Sequence, residues 1–123
     1  MDSQEKIKVS VLIHCYNNEN TIRKLLENLN WADEIVVCDS FSTDETVNIC
    51  KEYTDKIYQY KHKNSADQKN WTIPKCKNEW IFQIDTDESV EDELIKEIEK
   101  ILSSNVIEYE AFKIPRKNYL FGK

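Results

Sequence analysis

The sequence predicts an α/β protein, three layers deep, built on a mostly parallel sheet. Three observations lead there. Short apolar runs alternate with helix-periodic stretches along the whole chain, the order that parallel sheets with helical crossovers require. The runs are apolar nearly throughout, as expected of strands covered on both faces. The polar clusters follow the runs, at the strand ends where such sheets bind ligands.

The first run, Val9 to Ile13 with Ser10 inside it, reads as a strand, and the polar stretch His14 to Asn20 follows it. Ile22, Leu25, Leu26 and Leu29 then recur at three- and four-residue spacing, which makes one helix face. Glu34 to Cys38 is a second buried strand. Ser42 stands three residues before Glu45 in capping-box spacing, and Val47, Ile49, Cys50 and Tyr53 supply the apolar face of a second helix. Lys56 to Tyr60 is a short third strand.

Asn64 to Lys77 reads as a helix that Pro74 kinks or ends. Glu79 to Ile84 is the fourth strand, and Ser89, with Asp92 three residues on, suggests the cap of a last helix carrying Leu94, Ile95, Ile98, Ile101 and Leu102. Val106 to Ile114 alternates enough to be a fifth strand of unreadable direction. Trp31, Trp71 and Trp80 read as packing residues.

The 123 residues suit one domain over 1–123, 40% hydrophobic and 33% charged, with 1 Gly and 2 Pro. Seventeen Lys and Arg against twenty-three Asp and Glu give a net charge of -6, which argues against broad nucleic-acid binding. The charge is uneven: Lys56 to Lys77 holds six lysines and one acid, whereas Asp85 to Glu99 holds eight acids and one lysine. Facing one cleft, these stretches would meet an anion and a cation; otherwise they are solvated surface. Cys15, Cys38, Cys50 and Cys76 lack C-x-x-C spacing and point to free thiols in a reducing cytoplasm. No apolar segment approaches the length of a membrane span.

Asp85 and Asp87 follow directly on the apolar run Trp80 to Ile84. On an extended segment residues i and i+2 point the same way, so both carboxylates can grip one hard divalent cation. The structural alternative is a pair of acids in the turn before a helix, where negative charge is favourable anyway. Asp39 ends the second strand and could accept from a base N–H or a ribose hydroxyl, while Asp44 fits the first turn of a helix. Tyr16 could lie against a flat base and His14 donate to a phosphate or carbonyl, or both could be ordinary residues at a strand end. Lys69 is the best candidate for an anion contact, a solvated helix lysine being the alternative. The only glycine is Gly122, so no glycine loop cradles phosphate.

Val-Ser-Val-Leu-Ile-His-Cys-Tyr-Asn-Asn-Glu from Val9, Ala-Asp-Glu-Ile-Val-Val-Cys-Asp-Ser-Phe-Ser-Thr-Asp from Ala32, Gln-Lys-Asn from Gln68 and Ile-Asp-Thr-Asp-Glu from Ile84 together resemble family 2 glycosyltransferases of the GT-A fold. The resemblance runs from about Val9 to Phe121 and is nearest to the branch that builds lipopolysaccharide core. It implies a Rossmann-like nucleotide-binding topology and inverting transfer of a sugar from a nucleotide diphosphate sugar to a glycan or lipid-linked acceptor. By it, Tyr16 would contact the base and Asp39 its ring N–H. Asp85 would lie near ribose and metal, Asp87 would be the principal ligand of Mn2+ or Mg2+, and Lys69 would meet the diphosphate. His14 stands where a small hydroxyl residue is common, and Ser89 replaces the usual arginine.

Family members take their catalytic base and much of their acceptor site from sequence beyond the stretch matching Pro115 to Gly122. The chain therefore resembles a donor-binding portion with no identifiable base, in the cytoplasm or at the inner face of the membrane. The competing expectation is a non-catalytic domain that binds a nucleotide sugar, or that pairs with another chain through an exposed apolar patch at Tyr119, Leu120 and Phe121. A receiver domain would need acids at the end of the first strand, and a haloacid-dehalogenase-like phosphatase would carry its Asp-x-Asp on the first; neither pattern is present.

Overall fold

The computed structural model of the chain describes residues 6–103, 111–114 and 118–122. In it, β1 (Ile7–Cys15), α1 (Ile22–Glu27), β2 (Ala32–Asp39), α2 (Thr46–Cys50), β3 (Ile57–Gln59), α3 (Ser65–Thr72), β4 (Trp80–Ile84) and α4 (Asp92–Ser103) alternate as expected. Two further strands, β5 (Ala111–Ile114) and β6 (Asn118–Gly122), close the sheet.

The strand order is β3-β2-β1-β4-β6-β5. The first four strands are parallel, whereas β6 runs antiparallel to β4 and to β5. The chain steps outward from β1 to β3 and then returns to the other side of β1 to form β4. The reversal of order therefore falls between the carboxyl ends of β1 and β4, where ligands bind in sheets of this kind.

Alternation along the strands divides the core between two faces. Val9, Val11, Ile13 and Cys15 of β1 pack with Phe82 and Ile84 of β4 against Ile22, Leu25, Leu26 and Leu29 of the first helical segment and Ile98 of α4. Leu12, Val36 and Ile81 point the other way, onto Cys76, Ile73 and Tyr58. Covering both faces makes the three-layer arrangement, and truncating a residue as central as Phe82 would cost about 3–5 kcal/mol.

Several local expectations are corrected. Ser42 does not close a capping box: α2 starts at Thr46, and its N-terminal flank is organised by Asp44, whose Oδ1 accepts from the Thr46 N–H at 2.9 Å and the Thr46 hydroxyl at 2.5 Å. Ser89 stands too far ahead of Asp92, where α4 begins, to be its cap. Pro74 does end α3, inside a single 3-10 turn over Ile73–Lys75, and Asn64 caps α3 by accepting from the Asp67 N–H at 2.8 Å.

Of the stretch expected as one fifth strand, 106–110 lies outside the described residues, and β6 is an element the sequence reading missed. Leu120 is not part of an exposed patch. Its register opposite Phe82 sends it into the core, fully buried, while the side chains of Tyr119 and Phe121 lie outside the described residues. The four cysteines are free and buried. Trp31 leans on Phe82, and Trp71 stacks on Tyr60 with ring centroids 4.4 Å apart under the Lys75 ammonium, so both pack as expected.

Candidate functional site

The carboxyl ends of β1, β2, β3 and β4 open into one cleft of about 760 Å³. From β1 and its loop come His14, Cys15, Tyr16 and Asn18; from the end of β2, Ser40 and Phe41; after β3, Lys61 and His62; from α3, Gln68; and from β4, Gln83 and Asp85. A volume of this size suits a drug- or nucleotide-sized ligand.

Two loops carry the aromatic side of the cleft, and a lattice of hydrogen bonds joins them. Asn17 adopts φ 52°, a left-handed conformation that asparagine tolerates well. Its Oδ1 accepts from the Thr43 N–H at 2.8 Å and the Asp44 N–H at 3.3 Å, and its own N–H donates to Ser42 Oγ at 2.8 Å. The Asn18 N–H donates to Thr46 Oγ1 at 2.8 Å, and the Glu45 N–H to Glu19 Oε1 at 2.9 Å. Tyr16 and Phe41 emerge from this scaffold each 58% exposed, the two exposed large hydrophobic residues among those described.

Asp39 does not reach the cleft. Alternation sends its side chain to the face occupied by Cys15 and Cys50, where it is 0% exposed. Its Oδ1 accepts from the Ser42 hydroxyl at 2.5 Å and the Cys15 thiol at 3.2 Å, and its Oδ2 from the Ser42 N–H at 2.8 Å. The hydrogen bond with Cys50, then burial and the neighbouring Asp39 carboxyl, push the Cys15 thiol well above the ordinary thiol range.

His14 faces the opposite side of the sheet, paired in register with Cys38. Its Nε2 is buried without a hydrogen-bond partner among the described residues. Burial, with the nearby His62 and Lys69 charges, lowers its pKa to about 4, so the ring is neutral at pH 7. Lys69, half-buried on α3, is not among the residues lining the cleft, although its charge acts on His14, which is. The lysine-rich stretch is divided: Lys61 lines the cleft, Lys56 pairs with Glu34, Lys77 with Asp33 at 3.4 Å, and Lys75 covers Trp71.

The aspartate pair is exposed at the rim, but not on an extended segment. The Glu88 N–H donates to the Asp85 carbonyl at 3.1 Å, so Asp85 to Glu88 form a turn and strand alternation does not govern the two side chains. Asp85 lines the cleft; Asp87 is not among its lining residues. No group of three or more His, Cys, Asp or Glu that could hold a metal ion is present among the described residues. Two exposed carboxylates are nonetheless a hard oxygen donor set of the kind Mg2+ accepts together with waters and substrate phosphates, without a full protein cage.

The sequence reading set Phe41, His62 and Gln68 in strand-end clusters facing the rim without giving them a role, and it missed Lys61. Phe41 had a legible signal, an aromatic in a polar strand-end cluster; Gln68 is placed by α3, where its Nε2 donates to Cys38 Sγ at 3.4 Å.

A parallel sheet whose strand ends and switch point share one cleft defines a Rossmann-type α/β domain. The chain matches the family described as Glycosyl transferase family 2 over residues 10–119, and it belongs to that family. It is 30% identical over 122 residues to the lipopolysaccharide core biosynthesis glycosyltransferase LpsC of Rhizobium meliloti (strain 1021), covering 95% of this chain and 45% of LpsC. It is 38% identical over 109 residues to an uncharacterized glycosyltransferase of Rickettsia bellii (strain RML369-C), covering 87% of this chain and 37% of that one. The chain thus spans less than half the length of these relatives.

Among solved structures, the mannosyltransferase PcManGT from Pyrobaculum calidifontis, in complex with GDP-Man and Mn2+, superposes with a TM-score of 0.74 at 19% identity, over 98% of this chain and 46% of that one. S. aureus TarS 1-349 in complex with UDP gives 0.65 at 21% identity, over 89% and 38%. These likenesses establish the GT-A-type fold. No helix among the described residues is long and apolar enough to cross a membrane.

Proposed function

We propose that this chain is the donor-binding portion of an inverting glycosyltransferase that takes a sugar from a nucleotide diphosphate sugar and passes it to a glycan or lipid-linked acceptor. The observation that carries the reading is the convergence of an exposed aromatic, a lysine, an imidazole and a carboxylate on one cleft at the switch point: Tyr16, Lys61, His62 and Asp85. These are the complements of a base, a diphosphate and a phosphate-borne cation. Membership of the family and the Mn2+ and GDP-Man bound by PcManGT support it.

In this reading Tyr16 lies against the base. Neutral His14 offers a hydrogen bond to an uncharged group of the donor, and Lys69, with Lys61 and His62, faces the diphosphate. Asp85 and Asp87 would hold Mn2+ or Mg2+, which when bound neutralises charge on the leaving diphosphate. Asp39 would serve the base side from beneath, by fixing Ser42; direct contact with a ring N–H would require it to leave its present bonds. Inversion needs a base within hydrogen-bond reach of the acceptor hydroxyl, and that role, with the acceptor site, is proposed to fall outside this chain.

Calorimetric titration with UDP and GDP, each with and without Mn2+, tests the reading. Metal-dependent binding that Asp87→Ala abolishes is expected; heat from neither nucleotide under either condition would exclude a donor site.

A further inference from the structure

Phe41 is held in a conformation its side chain does not favour. Its φ is 57°, in the left-handed region where a bulky residue is an outlier and glycine sits without penalty. The surrounding bonds fix it there. The Phe41 N–H donates to Gln59 Oε1 at 2.8 Å, the preceding Ser40 N–H donates to the Cys15 carbonyl at 3.0 Å, and the Ser40 hydroxyl donates to the Tyr60 carbonyl at 3.0 Å.

Side-chain packing among the described residues does little to offset this cost, because Phe41 is 58% exposed. Strained positions persist where the surrounding structure enforces them, and they gather at ligand sites. The other large exposed ring, Tyr16, lines the same cleft from the neighbouring strand end, where Cys15 and Asp39 are partners in register.

We propose that Phe41 is a second aromatic wall of the cleft, stacking together with Tyr16 on the planar base of the nucleotide. This rests on the donor reading given above. The loop lattice around Asn17 would hold the two rings ready before the ligand arrives. Stacking is tolerant of base identity because every base presents a π-face, so Phe41 would add affinity for nucleotides in general rather than select one.

The test is titration of the parent chain and its Phe41→Ala, Phe41→Gly and Phe41→Tyr variants with UDP in the presence of Mn2+, and with inorganic pyrophosphate as a base-free probe. Loss of a base–aromatic stack is expected to weaken UDP about five- to a hundredfold in the alanine and glycine variants. Tyrosine should restore binding, and pyrophosphate affinity should be unchanged throughout. The melting temperature of Phe41→Gly should equal or exceed the parent's, since glycine accepts the backbone angle.

UDP bound equally by parent and Phe41→Ala, or UDP and pyrophosphate weakened together, overturns the proposal while leaving the donor site standing. A parent that binds no nucleotide overturns the donor reading and this one with it.

Discussion

Ser42 satisfies Asp39 twice, its hydroxyl donating to one carboxylate oxygen at 2.5 Å and its backbone N–H to the other at 2.8 Å. The end of β2 is thereby tied to the loop that follows it, and through Ser42 Oγ to the backbone of Asn17 as well. Asp39→Ala removes a buried acceptor and leaves the Ser42 groups and the Cys15 thiol to find new partners. Hydrogen bonds to charged groups contribute about 1.5–3 kcal/mol each, so a loss of about 2–3 kcal/mol in denaturant-measured stability is expected, with weakened UDP binding. Weakened binding with unchanged stability would instead point to direct contact between Asp39 and the nucleotide.

Asn17 accounts for the other half of the lattice. Asn17→Ala loses the acceptor for the Thr43 and Asp44 amides and places a residue with a Cβ, but no compensating side-chain bond, at φ 52°. A destabilisation of about 1–3 kcal/mol is expected. Asn17→Gly relieves the backbone but not the lost bonds, so by thermal melting it should fall between parent and alanine variant.

Glu34 should separate stability from binding. It is buried at the opposite end of β2, where it accepts from the Ser10 hydroxyl at 2.5 Å and the Lys77 N–H at 2.8 Å and pairs with Lys56. Burial opposes its charge, but these donors outweigh burial and hold the carboxyl below its ordinary range. Glu34→Gln is expected to cost about 1–3 kcal/mol, while nucleotide affinity of the folded fraction stays at the parent value.

His14 makes stability depend on pH. The unfolded chain takes up a proton on this ring near pH 6.5, the folded chain not until about pH 4. Between those values the unfolded state holds more protons, so stability falls as pH drops from 6.5 and recovers as pH rises. A loss of about 1–3 kcal/mol by pH 4 is expected, after allowance for partial solvent access. His14→Asn should flatten urea-unfolding free energies between pH 6.5 and 5, above the range where paired carboxylates such as Glu34 begin to protonate.

The parallel half of the fold was legible because buried strands and one-sided helices write their period directly into the sequence, as Val9 to Ile13 and Leu94 to Leu102 do. β6 was not, since its short run Tyr119, Leu120 and Phe121 acquires meaning only beside β4. The site was partly legible for a related reason. Strand ends located Tyr16 and Asp85 correctly on the rim, but alternation about β2 turns Asp39 inward toward Cys15, and sequence adjacency does not show to which face a strand-end residue turns. The turn at Asp85 to Glu88 likewise replaced the extended geometry assumed for the pair. Phe41 was legible as an aromatic in a strand-end cluster but not as a ligand contact, since its backbone angle and exposure belong to the folded loop.

Whether the cleft at the β1–β4 switch point receives a nucleotide with its cation is tested most directly by paramagnetic broadening of the chain's backbone amide signals on adding Mn2+ together with UDP. Broadening centred on Asp85 to Glu88 and extending to His14 and Tyr16, and absent from Asp87→Ala, is expected. Broadening confined to the exposed acids of α4, Asp92, Glu93, Glu97 and Glu99, would contradict it.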